Sequence, residues 1–372
     1  MLEDESGRVR LTGPFLQSEL LVTGCIVAVM GTENANGDFE VIDSKIPDLP
    51  KHPPASTDSH ASTSKGQKVA IVSGLNITGT SDNSLALDML MEWLLGESAS
   101  PELQASAAQI TRLIIAGDSL AEANPLASRD DHLPNASTSG KKASHKKYGY
   151  DSASYDPAPV LQLDLLLATL LPSIPVTLLP GASDPANVSL PQQPLHAALF
   201  PRSRAYAAAA SVANPAVNTS AKAAKQNVRV EDAGTFHPTT NPTLFSIGDN
   251  LFLGSGGQTI DDISKYISEC TPLELMEYTL RWRLVAPTAP DTLWCYPYQS
   301  ADPFVLRDGR CPHVYFVGNQ AHFATTIVSG HDGQKVRCIS VPKFSETGQV
   351  VLLDLESLEI EIVRFDVFEQ PI

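Results

Sequence analysis

Four short apolar runs, each leading directly into a turn of small residues, constrain this chain more than any other feature. Val69-Ala70-Ile71-Val72 leads into Ser73-Gly74-Leu75, and Leu113-Ile114-Ile115-Ala116 into Gly117-Asp118. Val176-Thr177-Leu178-Leu179 leads through Pro180 into Gly181-Ala182-Ser183-Asp184, and Val314-Tyr315-Phe316-Val317 into Gly318-Asn319-Gln320-Ala321. Runs this apolar, without polar alternation, mark strands covered on both faces. Helical patterns separate the first three. In Ser84 to Leu95 the polar Ser84, Asp88 and Glu92 recur at helical spacing among apolar residues, which predicts a helix packed on a sheet with one narrow wet stripe. Leu103 to Ile110 reads as a second helix, and Val160 to Leu171 as a third whose only charge is Asp164. The order strand, helix, strand, helix, strand predicts an α/β fold with parallel neighbours in the sheet.

The flanking regions read differently. Residues 1 to 50 are all strand and turn. Asp4-Glu5-Ser6-Gly7 is a turn signal and Arg8 to Leu11 alternates; Leu20 to Met30 reads as a long strand interrupted at Gly24, and Thr32 to Gly37 as a polar turn before Phe39-Glu40-Val41-Ile42. This is the pattern of the last three strands of an oligonucleotide/oligosaccharide-binding (OB) barrel, a five-stranded design. Two strands are missing, so the chain reads as truncated at its start, and residues 1 to 50 are expected to be locally unstable or prone to aggregation. Residues 51 to 68, rich in Pro, Ser, Thr and His, read as a linker. Ser128 to Lys147, with its lysine pairs, and Arg202 to Thr240, rich in Ala, Asn and Lys, read as surface insertions. Beyond them, Leu244 to Ile247 and Asn250 to Gly254 flank a Gly248-Asp249 turn as a hairpin. Thr271-Pro272-Leu273-Glu274 opens a helix running to about Arg283, with an N-cap, a Pro in the first turn and a capping Glu. Val314 to Val317, Val336 to Val341, Val350 to Asp354 and Ile360 to Phe365 read as strands.

Placed in order, the strand ends resemble those of two-metal phosphoesterases, which carry their ligands as D-x-H, G-D, G-N-H-[DE], a lone His and G-H-x-H. In this chain the first place reads Ser73-Gly74-Leu75, the second keeps Asp118, and the third reads Gly181-Ala182-Ser183-Asp184. The lone His place is Cys295-Tyr296-Pro297, and the last is Gly318-Asn319-Gln320-Ala321. Leu75, Ala182 and Ala321 offer no lone pair to a divalent ion. Ser73, Tyr296 and Asn319 are poor neutral donors. The resemblance therefore implies a degenerate site with no catalytic residue, no bound metal and no cofactor.

The words around those places are similar to one family, the small (B, second) subunits of DNA polymerase delta. They include Val72-Ser73-Gly74-Leu75, Leu190-Pro191-Gln192-Gln193-Pro194-Leu195-His196, Ala289 to Tyr298, Gly254-Ser255-Gly256-Gly257-Gln258 with Asp262-Ile263, Asp302-Pro303-Phe304, and Pro312 to Asn319. The resemblance runs from Leu2 to about Phe365, broken by the two insertions. The equivalent subunits of polymerases alpha and epsilon share the plan, but Pro-Gln-Gln-Pro-Leu-His and Cys-Tyr-Pro resemble the delta branch. It implies an α/β fold, a two-sheet metallophosphoesterase-like sandwich flanked by helices over residues 69 to 372, preceded by the partial OB-fold β-barrel. It also implies a non-catalytic nuclear scaffold that binds the C-terminal metal-binding domain of the catalytic subunit. That scaffold docks a third, smaller subunit and meets the sliding clamp and DNA only indirectly.

Composition bounds the alternatives. A formal net charge of -16 argues against a chain that grips a nucleic-acid backbone by itself, because such affinity comes from Lys and Arg neutralising phosphates. Basic partners suit it better. The five cysteines lie far apart without a C-x-x-C, so neither a zinc knuckle nor a disulfide framework is indicated. No run reaches the roughly 18 to 20 apolar residues of a membrane span, and no signal peptide opens the chain.

Several features have two readings. Asp118 and Asp184 read better as turn caps than as residual ligands. His313 and His322, beside the last ligand place, read as partly buried and bonded to backbone rather than as displaced ligands. Gly254-Ser255-Gly256-Gly257 reads as a loop, since no Lys-Ser/Thr follows and no helix start shows the P-loop spacing. The lysine pairs near residue 144 read as solvated. The rival functions are an active metallophosphoesterase or nuclease and a free-standing single-strand binder. Bound Mn or Zn with phosphodiester turnover would favour the first, while the charge and missing strands weigh against the second.

Overall fold

The computed structural model describes residues 1–17, 20–54, 66–80, 85–98, 100–122, 156–207, 234–298 and 301–366. The insertion expected at 128–147, the middle of the linker and residues 208–233 lie outside them. In chain order the strands are β1 (Leu2–Asp4), β2 (Gly7–Val9), β3 (Leu11–Thr12), β4 (Ala28–Glu33), β5 (Phe39–Lys45), β6 (Lys68–Val72), β7 (Ile110–Ala116) and β8 (Val176–Leu179). They continue as β9 (Phe236–Pro238), β10 (Thr243–Ile247), β11 (Asn250–Ser255), β12 (Val314–Gln320), β13 (Ala324–Ser329), β14 (Lys335–Pro342), β15 (Gln349–Asp354) and β16 (Ile360–Arg364). The α-helices among the described residues are α1 (Leu85–Leu94), α2 (Pro101–Ala107), α3 (Ala158–Leu170), α4 (Gln258–Ser264), α5 (Pro272–Trp282) and the short α6 (Phe344–Thr347).

Two mixed sheets form the body. One runs β16-β15-β6-β7-β8-β9 and is parallel from β6 to β9; the other runs β10-β11-β12-β14-β13 and is parallel across β11, β12 and β14. They pack face to face, as Ile71, Ile114, Leu179 and Val351 of the first meet Phe252, Phe316, Ile339 and Val341 of the second in one fully buried cluster. The outer face of the first sheet carries α1 to α3, through Leu87, Leu90, Trp93, Leu163, Leu167 and Leu170. The outer face of the second carries α4 and α5, through Ile260, Ile263, Met276 and Leu280. With both faces covered, the inner strands can be apolar at every position, which is why their runs stand out in the sequence.

The elements mostly follow the sequence, with corrections at exposed or long-range positions. Helix α5 has the complete capping box: Thr271 Oγ1 accepts from the Glu274 amide at 3.4 Å while Glu274 Oε2 accepts from the Thr271 amide at 2.7 Å. The wet side of α1 is wider than one stripe, since Leu85 and Met89 are exposed beside Asp88 and Glu92. Gly254 to Gly257 is not loop alone, because Gly254 and Ser255 end β11 and Gly257, at φ 112°, is the N-cap of α4. Strand β13, half-exposed at the sheet edge, has no counterpart in the sequence reading. The segment read as a surface excursion over 202–240 is structural at both ends: Ser203 is buried against α3, and Phe236 to Pro238 form edge strand β9. The physical reason is long-range, as Asp164 of α3 accepts from the Arg202 and Ser203 amides at 3.0 and 2.9 Å.

The N-terminal region forms the hairpin β1-β2 and the sheet β3-β5-β4. Strand β4 starts at Ala28 rather than Leu20, because Val22 is drawn into the core around α5 and Gly24 turns hard against the Pro287 carbonyl, where no side chain would fit. The chain from Asp48 to His52 is pinned to the sandwich rather than free. Arg281 pairs with Asp48 at 2.6 Å, Arg283 donates to the Asp48 and Leu49 carbonyls, and the His52 ring stacks on His313 at 4.5 Å.

Candidate functional site

The carboxyl ends of β6, β7, β8, β11 and β12 converge, as parallel strands place their outgoing loops at one edge of the sandwich. Four of the named places meet there. Ser73 is fully buried; its hydroxyl lies 3.0 Å from the Pro342 carbonyl and accepts from the Asn319 amide at 2.9 Å, which ties the end of β6 to the end of β12. Asn319, in the left-handed region at φ 59°, donates from Nδ2 to the Gly256 carbonyl at 2.8 Å. Asp118, also left-handed at φ 50°, accepts from the Ser183 amide at 3.0 Å. Asp184 is buried and accepts from the amides of Gly181, Leu120 and Ser119 at 2.8, 3.0 and 3.3 Å.

The backbones meet almost without side chains between them. A Cβ on Gly117 would stand 3.1 Å from Asn319 Nδ2, the Gly181 Cα and the Gly256 Cα, and a Cβ on Gly181 would fall inside Asp118 itself. The loops that follow these strands are in mutual contact. Both oxygens of Asp184 and Oδ1 of Asp118 accept from backbone amides. Among the described residues no three His, Cys, Asp or Glu side chains gather as a metal-holding group.

Burial pushes the Asp184 carboxyl up to about 6; the three amide hydrogen bonds pull against that rise, and the charge of Asp118 adds to it. Asp261, on α4, is likewise raised by burial and by Asp118, against the Gln320 side chain, whose Nε2 donates to it at 3.3 Å.

The side chains at the remaining places do not enter this junction. Leu75 is buried under the helices of the first sheet. Ala182 and Ala321 are exposed. Tyr296 is on a segment held by Leu190: its amide donates to the Leu190 carbonyl at 3.0 Å, the Leu190 amide donates to the Trp294 carbonyl at 2.7 Å, and its ring is 40% exposed. His313 is a partly buried histidine on backbone, accepting from the Leu251 amide at 2.9 Å, but His322 is exposed.

One polar knot escaped the sequence reading. Asn241, after β9, donates to Gln192 Oε1 and Gln258 Oε1, both at 2.8 Å, and accepts from the Gly256 amide at 2.9 Å. Gln192 Nε2 in turn donates to the Gly181 carbonyl at 3.1 Å. Gln192 and Gln258 stand inside words already singled out, so the words were visible while their meeting point was not. Chemically the junction is a lattice of amide, hydroxyl and carboxylate groups that bond one another and lock the strand ends of both sheets, with Asn319 Oδ1 and Ser119 Oγ buried in it without a partner.

Comparison with known proteins agrees with the sequence words. The family of DNA polymerase alpha/epsilon B subunits matches residues 69–325, and the DNA polymerase delta subunit OB-fold domain matches residues 1–44. The chain is 37% identical over 365 residues to the DNA polymerase delta small subunit of Arabidopsis thaliana, covering 98% of this chain and 72% of that protein. It is 35% identical over 368 residues to that of Oryza sativa subsp. japonica, covering 98% and 73%. It is 36% identical over 393 residues to that of Saccharomyces cerevisiae, covering 99% and 70%.

Proposed function

We propose that this chain, which belongs to the family of DNA polymerase delta small subunits and is thus an accessory subunit of the polymerase delta complex, is non-catalytic and acts in the nucleus. Its sandwich is read as a metallophosphoesterase-like scaffold whose site has been converted from chemistry to structure. One observation supports this reading: at the converging strand ends both oxygens of Asp184 and Oδ1 of Asp118 accept from backbone amides, while Ser73 and Asn319 bond each other and the loops. A two-metal hydrolase needs those oxygens directed at a shared ion and an attacking water. With Leu75, Ala182 and Ala321 at ligand places, the donor set suits no divalent ion.

The partners follow from the same reading. The chain binds the C-terminal domain of the polymerase delta catalytic subunit and a third, smaller subunit, and reaches the sliding clamp and DNA through them. A formal charge of -16 suits basic protein surfaces and opposes direct phosphate binding. Among the described residues no helix is long and apolar enough to cross a membrane. The test mixes the purified chain with the catalytic subunit's C-terminal domain at micromolar concentration, without nucleic acid, and measures association together with metal content and phosphodiester hydrolysis. Association with well under one metal per chain and no turnover is expected. Stoichiometric metal with turnover abolished by Asp118→Ala would replace this reading with the hydrolase.

A further inference from the structure

The tryptophans divide sharply. Trp93 and Trp282 are 2% and 1% exposed, whereas Trp294 is 70% exposed. Trp294 is not on a frayed end. Its carbonyl and the Tyr296 amide clamp the two sides of Leu190, and Leu190 and Cys295 turn together into the core. The alternation of an extended segment then drives Trp294 and Tyr296 outward side by side. Val188, two residues before Leu190, is 74% exposed on the neighbouring strand of chain. A rigid backbone thus displays a large aromatic surface to water, the kind of anchor that protein interfaces use.

The segments that carry the aromatic pair are acidic, and the nearby cation Lys265 is already paired with Asp262, whose other oxygen accepts from Thr288. From Leu284 to Leu306 the chain has Asp291 and Asp302 and no Lys, Arg or His, and from Gly181 to Leu195 it has no basic residue either. Asp291 and Asp302 are both exposed. An exposed indole on an acidic segment favours a cation stacked upon it and disfavours phosphate or a second copy of a chain that itself carries -16. Resting on the accessory-subunit reading above, we propose that Trp294 and Tyr296, with Val188 beside them, are the contact surface for a basic, Arg- or Lys-bearing segment of a protein partner in the polymerase complex.

The chain, labelled with 5-fluorotryptophan, is titrated with the unlabelled C-terminal domain of the catalytic subunit and, separately, with the third subunit, and read by fluorine NMR. The Trp294 resonance, identified by its loss in Trp294→Phe, should move with one of these partners while those of Trp93 and Trp282 stay put. Trp294→Ala should weaken that association by about thirty-fold. Asp291→Asn with Asp302→Asn should weaken it a few-fold and flatten its salt dependence. An unchanged thermal midpoint confirms that each variant is folded. If a partner binds and the Trp294 resonance is silent, or Trp294→Ala binds like the parent, the surface lies elsewhere and the proposal is wrong. Movement of that resonance on concentrating the chain alone would mark self-association and overturn it equally. If neither partner binds the parent chain, the accessory reading itself fails and takes this inference with it.

Discussion

Strand β6 of the sandwich buries every residue from Val69 to Val72, while β5 of the N-terminal sheet buries only Val41 and leaves Ile42 exposed beside it. β6 has three β-branched residues in five and β5 two in seven. The difference in composition follows what lies above and below. β6 has helices on one face and a second sheet on the other; β5 has a covered face and an open one, on which Met30 of β4 is also exposed. Stability in this molecule is therefore concentrated where two layers meet, and above all where the strand ends are locked by hydrogen bonds. Substitutions should be costly at that junction and cheap on the open N-terminal face.

The largest effect is expected at Gly181. A methyl group there would overlap the amide and carboxylate of Asp118, so Gly181→Ala must part the two strand ends. Chemical denaturation should show a loss of about 3 kcal/mol or more, as for an overpacked core. An unchanged midpoint would mean that the junction is looser than its contacts show.

Next comes the pH dependence of Asp184. Its folded pKa, about 6, lies above the ordinary value of 3.8, so the folded chain holds this proton where the unfolded chain releases it. The resulting stability is fully present below pH 3.8 and is lost as pH rises through about 6. A span of this size corresponds to about 3 kcal/mol by linkage. Asp184→Asn should flatten the stability profile between those limits. Parallel profiles for parent and variant would assign the titration to another group.

Asp164→Ala probes the side of the sandwich remote from the junction. It removes the acceptor for the buried Ser203 amide and for Arg202, and should cost about 2 kcal/mol in thermal or chemical denaturation. A loss as large as that at Gly181 would erase the ranking of the two places. The smallest effect belongs to the N-terminal sheet. Met30→Lys and Ile42→Thr, both on its open face, should change stability by no more than about 0.5 kcal/mol. A drop of several kcal/mol in either would show that this face is covered in solution.

Much of the sandwich was legible because parallel strands covered on both faces must be apolar throughout, and Val176–Leu179 needed no correction at either end. The helix at Pro272 was equally legible, since capping is settled within four residues. Strands β9 and β13 were not, because each is an edge strand whose residues are ordinary until a neighbour supplies the ladder. Leu20 to Cys25 reads as strand by composition, yet its turn against Pro287 depends on a residue far along the chain.

The site divides in the same way. By residue type alone, the sequence determined that Leu75, Ala182 and Ala321 cannot ligate a metal, and it fixed the excess of acid over base and the words shared with the polymerase delta small subunits. Which side chains meet was decided only by the tertiary structure. It joined Ser73 to Asn319, wrapped Asp184 in the amides of two loops, drew Gln192, Asn241 and Gln258 into one knot, and left Tyr296 outside with Trp294 facing water. The reason is that a ligand's chemistry belongs to its own atoms, whereas a hydrogen-bond partner or an exposed face belongs to whatever the fold brings alongside.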